Sequence, residues 1–359
     1  MSKKILILGG AGYLGDHLAA LLSESNLIAI YRNNSTNIKY DIYIYDSLLF
    51  EKEYLRPYVN FIYGDIRDKQ KLLPYLKKAD IVINLAAHVG DMACTINPEI
   101  SYDVNVECLK WIRDNFDGLL IWPSSCSVYG TNDKMVDENA AVNPLSLYAE
   151  TKVLGEDILN KSDKKNLILR LGTLYGLSGI HCRQRFDLVG NVLPCKAFFD
   201  KKITVFGGEQ FRPIVNVFEI AKLIWQYIEN DCDYIGTYNL GGFNTTLKEL
   251  ALIVKNFASN AEIIETDIPT EDLRNYKVSS DKAIKELGYQ PTNNYAQHVD
   301  ILLYILSSER IVDWKNPIYH NGNWFKLKKP YLKNGTINEF PYDLSIIEKM
   351  KNLKLTSVI

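Results

Sequence analysis

The chain reads as an α/β protein built on a doubly wound parallel sheet, with a smaller α/β substrate lobe interleaved toward its C-terminal end. Short apolar strands alternate with longer helical stretches through its first half. A glycine-rich turn follows the first strand and opens the first helix. The polar motifs fall at the carboxyl ends of those strands, where such sheets bind ligands.

Lys4–Leu8 reads as a core strand, apolar on both faces, and the following helix runs through His17, Leu18, Leu21 and Leu22. Further strands are expected at Asn60–Tyr63, Asp80–Asn84, Gly118–Trp122 and Asn166–Leu171, with helices at 99–115 and 146–161 between them. After residue 175 glycine, charged and aromatic residues mix, and helices at 217–229 and 245–257 alternate with short segments. The expected organisation is a dinucleotide-binding domain over 1–175, with elements around 213–240 returning to it, a substrate lobe over 176–310 and a C-terminal extension over 311–359. The extension carries Trp314, Tyr319, His320, Trp324, Phe325 and Tyr331, then an amphipathic stretch at 343–355. It is expected to pack on the body or on a neighbouring subunit rather than to enter the site.

A formal net charge of −2 gives no basis for binding nucleic acid or an anionic membrane. No apolar run approaches the length of a membrane span, and the four apolar residues Ile5–Leu8 are too few for a signal peptide. The six cysteines (Cys94, Cys108, Cys126, Cys182, Cys195 and Cys232) lack zinc spacing, so no metal site is expected, and scattered thiols point to a reducing cytoplasm.

Gly9, Gly12 and Gly15 stand in Gly9-Gly10-Ala11-Gly12-Tyr13-Leu14-Gly15. At this spacing the first glycine allows a tight turn, the second admits a pyrophosphate and the third lets helix and strand pack closely; the helix N-terminus supplies amide donors. This is the fingerprint of a Rossmann-type dinucleotide site. The residue that meets the adenosine ribose has two candidates. Leu27–Tyr31, read as a strand, ends at Arg32, which would suit the 2′-phosphate of NADP; Ile42–Tyr45 ends at Asp46, which would bond the 2′-hydroxyl of NAD. Asp46 and NAD are favoured.

Tyr148 and Lys152 lie one helical turn apart on one face. An ammonium beside a phenol favours phenolate and makes tyrosine an acid/base near neutral pH. With the glycine turn, the pair implies hydride chemistry on an alcohol or ketone.

In combination these motifs resemble the extended short-chain dehydrogenases/reductases, and within them the sugar-nucleotide epimerase/dehydratase group, over residues 3–305. Further matching segments are Gly64-Asp65-Ile66-Arg67-Asp68, Asn84-Leu85-Ala86-Ala87, Asp103-Val104-Asn105-Val106 and Ser124-Ser125-Cys126-Ser127-Val128-Tyr129-Gly130. The resemblance implies Tyr148 as general acid/base, Lys152 as the residue that holds the nicotinamide ribose, and Ser125 as the hydroxyl bonded to the reacting oxygen. It places Tyr13 and Leu14 at the cofactor turn, Asp65 and Ile66 at the adenine, Leu85, Ala86 and Ala87 beside pyrophosphate and ribose, and Asn105 in support. It also implies a sugar-facing set of His88, Asp91, Cys126, Ser127, Arg185 and Asn191, and a diphosphate clamp of Arg212 and Arg274. In Arg170-Leu171-Gly172-Thr173-Leu174-Tyr175-Gly176, Thr173 stands where the family carries Asn. His88 reads as a polar wall rather than a second acid/base.

The family's 4,6-dehydratases carry an Asp-Glu pair where this chain has Cys126 and Ser127, and its 3,5-epimerase/reductases need a cysteine and a histidine where it has Ser127 and Asn191. The expectation is therefore an NAD(P)-dependent 4-ketoreductase or 4-dehydrogenase of a nucleotide-diphosphate sugar, in unusual-sugar or surface-polysaccharide biosynthesis, with a nucleotide-sugar 4-epimerase as the alternative. Family members commonly form homodimers through the helices near 100–115 and 147–160, where Trp111, Ile112 and Leu154 could supply apolar surface.

Overall fold

The computed structural model describes residues 2–33, 38–51, 53–266 and 274–332. The main sheet contains β1 (Lys3–Leu8), β2 (Tyr40–Asp46), β3 (Asn60–Tyr63), β4 (Ile81–Asn84), β5 (Leu119–Ser125), β7 (Asn166–Leu171) and β11 (Gly236–Leu240). Its order is β11-β7-β5-β4-β1-β2-β3, with every pair parallel. Because β1 lies between β4 and β2, the chain reverses direction across the sheet there, and the crevice for a dinucleotide opens at that point. β4 and β7 are buried along their whole length, as strands covered on both faces must be.

Helix α1 (Tyr13–Asn33) overturns one expectation. Leu27–Tyr31 is helical, so Arg32 belongs to α1 and does not end a strand. The run is apolar and partly β-branched, a pattern that short segments share between helix and strand. A long-range contact settles where the strand begins. Asn26, fully buried, accepts from the Tyr40 amide and donates to the Tyr40 carbonyl, both at 2.8 Å, fixing the start of β2 against α1.

Four helices connect β3 to β5: α2 (Lys69–Leu76), α3 (Asp91–Ile96), α4 (Pro98–Tyr102) and α5 (Cys108–Asn115). The single helix expected over 99–115 is interrupted by a π-helical turn at Asp103–Glu107, a device frequent at functional sites. Helix α6 (Leu147–Asn160) is capped by Ser146, whose hydroxyl accepts from the Ala149 amide. Of the residues proposed for a dimer face, Ile112 is fully buried in the core, while Leu154 is exposed.

The remaining strands form smaller sheets: β8 (Thr173–Tyr175), β10 (Phe211–Asn216) and β12 (Phe243–Thr246) in one, β9 (Lys202–Phe206) with β13 (Glu262–Thr266), and β6 (Thr131–Val136) with β14 (Asn275–Val278). Around them stand α7 (Val189–Cys195), α9 (Leu247–Phe257), α10 (Asp281–Leu287) and α11 (Tyr295–Ser307). A capping box of Thr246 and Glu249 starts α9. Helix α8 (Val217–Glu229) turns Val217, Ile220, Ala221, Ile224 and Ile228 inward at helical spacing and shares the core with Leu18 and Leu22 of α1. The described residues end with α12 (Asn321–Leu332); the amphipathic stretch at 343–355 lies outside them.

No helix among the described residues is long and apolar enough to cross a membrane, and none of their His, Cys, Asp or Glu side chains cluster as a metal site.

Candidate active site

A cleft of about 700 Å³ runs along the carboxyl ends of β1, β2, β4 and β5, within the size range of ligand sites. The glycine turn forms its floor. Gly9 has φ +73°, and a side chain there would strike the Ala86 amide nitrogen at 2.7 Å, so the turn lies directly against the end of β4. A Cβ on Gly15 would fall 2.6 Å from Gly10, which is the close helix–strand contact expected of the third glycine. Gly12, Tyr13 and Leu14 line the same floor.

Asp46 ends β2 in the cleft wall. Its carboxylate accepts from the Ala11 amide at 3.0 Å and the Leu48 amide at 2.8 Å, while burial raises its pKa above the usual carboxylate range. Glu51, also in the wall, accepts from the Arg183 amide at 2.7 Å and is pushed by burial to about 7. Two carboxyl groups suit ribose hydroxyls and oppose a 2′-phosphate. Asp65 and Ile66 line the next stretch, and Asp65 holds Arg67 in a two-point ion pair at 2.6 and 3.0 Å. Leu85, Ala86 and Ala87 continue the wall from β4. Asn84, at the end of β4, leaves a buried side-chain oxygen without a hydrogen-bond partner, as expected where a ligand completes the site. These residues fit a dinucleotide.

Ser125 closes β5, and Tyr148 faces it from α6. Ser127 donates to the Ser125 hydroxyl at 2.9 Å. Lys152 donates to the Pro123 carbonyl at 2.7 Å, with its ammonium 4.5 Å from the Trp122 ring centre and 5.7 Å from that of Tyr148. Burial lowers the Lys152 pKa to about 8. The electrostatics differ from the expected pattern. Desolvation raises the Tyr148 pKa above its ordinary value, and Arg185 and Ser125, rather than Lys152, pull against that rise. The phenol is thus held protonated in the cofactor-free protein.

His88 lies in the wall with its Nδ1 3.0 Å from the Ser101 hydroxyl and its ring 4.5 Å from that of Phe325. Burial drives its pKa down to about 4, so it stays neutral and serves as a wall. Asp91 accepts from Ser146, the cap of α6, and pairs with Arg274 at 3.3 Å. Arg212 reaches the cleft from β10 and donates to the Arg274 carbonyl. Arg185 lines the cleft in a two-point pair with Asp187 at 2.8 and 2.9 Å.

Four of the expected site residues lie behind the wall, Asn105 there in the supporting place expected of it. Asn105, on the π-helical turn, does not line the cleft; it clasps the His88 amide at 2.8 Å and carbonyl at 3.0 Å. Asn191 is buried between the Gly176 amide, the Tyr13 hydroxyl and the Arg185 carbonyl. Cys126 is fully buried and directs its thiol to the Arg170 carbonyl at 3.2 Å, because it starts a 3₁₀ turn that faces inward. Ser127 is buried on the same turn and reaches only as far as Ser125.

Arg67, Glu51, Arg183, Asp187 and the stretch His320–Asn323 also line the cleft. Arg67 was within reach of sequence reasoning, since it stands in the quoted Gly64–Asp68 motif. The tail was not. Contrary to expectation it enters the site wall, through contacts that no local pattern announces.

The family model for the NAD-dependent epimerase/dehydratase family matches residues 5–241. The chain belongs to this family. A Methanocaldococcus jannaschii protein provisionally named as a UDP-glucose 4-epimerase is 29% identical, over 86% of this chain and 97% of its own. A Bacillus subtilis protein named as an uncharacterized UDP-glucose epimerase is 27% identical, over 85% and 98%. The fold matches the UDP-glucuronic acid 4-epimerase of Bacillus cereus, solved with UDP-glucuronic acid and NAD, with a TM-score of 0.69, 23% identity and coverage of 85% of this chain and 99% of that one. It matches an NAD-dependent NDP-hexosamine 5,6-dehydratase, TunA, at 0.69 as well, with 19% identity and coverage of 87% and 100%. The family is NAD-dependent, and the cofactor is NAD.

Proposed function

We propose that the chain is a nucleotide-sugar 4-epimerase. The observation that carries the reading is the Ser125–Tyr148–Lys152 set in the cleft wall, with neither of the side chains after Ser125 (Cys126 and Ser127) able to act as a carboxyl acid or base. The relatives named as UDP-glucose epimerases support returning the hydride to the sugar, which the sequence reading held as the alternative to one-way transfer.

In this reading bound NAD supplies a hydride acceptor and a positive charge that favours phenolate. Ser125 holds the C4 oxygen by a hydrogen bond, and the Tyr148 oxygen takes the hydroxyl proton as hydride leaves C4. For epimerisation the ketone would have to turn its opposite face to the nicotinamide, and Tyr148 would give the proton back to the oxygen as hydride returned to C4, so no net oxidation would remain. Lys152 keeps positive charge beside the phenolate. Arg212 and Arg274 reach the cleft where a nucleotide diphosphate would be held, two guanidiniums suiting its oxygens.

The test offers UDP-sugars to the purified protein and follows the sugar configuration together with nicotinamide absorbance. Formation of the C4 epimer with no net change in absorbance and no added cofactor is expected. Accumulation of reduced cofactor equal to product would instead establish a 4-dehydrogenase. Tyr148→Phe is expected to lower kcat by about 10²–10⁴; full turnover in that variant would remove the assignment of Tyr148.

A further inference from the structure

The tail is tied to both banks of the dinucleotide crevice. Trp324 donates from its indole nitrogen to the Leu49 carbonyl at 2.7 Å, and Leu49 lies just beyond Asp46 at the end of β2. Asn321 donates from its side chain to the Val89 carbonyl at 2.8 Å, and Val89 lies just beyond the end of β4. In the sheet β1 stands between those two strands. A segment fastened beyond both spans the crevice whose lining it shares with Gly9, Gly12 and Gly15, where a dinucleotide would lie.

The crossing is firmly seated. The Asn321 amide donates to Asp187 at 3.0 Å, and its side-chain oxygen accepts from Arg183. Phe325 is 2% exposed, with its ring 4.5 Å from His88 and 5.8 Å from Phe50. A Cβ on Gly322 would lie 2.3 Å from the Met92 sulfur, so the Met92 side chain of α3 packs directly on this glycine of α12. Behind the crossing, Trp314 is buried among Phe186, Leu302 and Leu306. The Methanocaldococcus relative is matched over 97% of its length by 86% of this chain, so this chain carries residues that the relative lacks.

We propose that residues 314–325 form a strap over the dinucleotide crevice that keeps the nicotinamide cofactor in place through successive turnovers. It goes beyond the proposed reaction, because it concerns exchange of the cofactor whether hydride returns to the sugar or not. Release of the cofactor then requires the Leu49 and Val89 links to open first.

The test uses the full chain and two variants. Trp324→Phe keeps an aromatic ring but removes the donor to Leu49; Asn321→Ala removes the links to Val89 and Arg183. Protein loaded with NADH is mixed with excess NAD, and loss of bound nicotinamide fluorescence gives the release rate; cofactor content after gel filtration is measured by extraction. The parent protein is expected to keep its cofactor through gel filtration, and each variant to release it about tenfold faster, as the loss of one or two buried hydrogen bonds implies. Leu327→Ala, on the exposed side of α12, should release at the parent rate. Equal release rates in the parent and in Trp324→Phe would overturn the strap, as would loss of cofactor from the parent on gel filtration. A protein that retains cofactor but forms no epimer would refute the reaction and leave the strap standing.

Discussion

Lys152 shows what the site costs the fold. Its ammonium is buried with a carbonyl and two rings for company, and its pKa falls to about 8. In the unfolded chain the same group titrates near ~10.4. Between those values the unfolded state binds the extra proton, so this residue makes the cofactor-free protein more stable as pH rises through that window; below it the burial penalty is complete. Lys152→Met is therefore expected to raise stability at neutral pH by about 1–3 kcal/mol and to flatten the rise between the two pKa values, while turnover falls. Urea midpoints across pH check this, and a variant less stable than the parent at neutral pH would contradict it. His88 gives the opposite kind of result. Held neutral down to about pH 4, it should contribute no limb to the pH–rate profile near neutrality. His88→Asn should keep turnover within about tenfold, with the profile unchanged in shape; disappearance of an acid limb would make His88 an acid/base after all.

At the scale of elements, the choice between NAD and NADP turned on which segment is β2. Periodicity alone left Arg32 and Asp46 in competition, because Leu27–Tyr31 is short and apolar in either conformation. The glycine turn, β4, β7, α6 and α8 were legible because a strand or helix period and its boundary residues agreed there. The end of α1 was not, because the Asn26–Tyr40 clasp that ties α1 to the start of β2 joins residues 14 positions apart, beyond the reach of a local period. Nor could the sequence show the π-helical turn that moves Asn105 behind His88, or the 3₁₀ turn that takes Cys126 out of the cleft: both depend on one-residue changes in helical winding. The assignment of β2 predicts that Asp46→Ala weakens NAD binding tenfold or more, by about 1.5–3 kcal/mol for a charged hydrogen bond, while Arg32→Ala leaves it unchanged. Titration calorimetry with NAD decides it, and the reverse order of effects would restore the Arg32 reading.

The molecule as a whole depends on contacts between residues far apart in the chain. Leu49 and Trp324 are 275 positions apart, which is why motif spacing points to Ser125, Tyr148 and Lys152 but not to the tail. The same holds for the main sheet. β7 is buried at all six positions, with β5 on one side and β11 on the other, and β11 arrives only after the smaller sheets have begun. Residues 1–175 made by themselves would leave the β7 backbone donors and acceptors open along one side, and would strip α1 of its cover by α8. Such an exposed apolar edge recruits other chains. The segment carries almost every motif for cofactor and catalysis, yet it should self-associate rather than fold as a soluble monomer. A monodisperse, monomeric peak on gel filtration would refute this. For this chain, the catalytic half is an unfinished sheet that its later sequence completes.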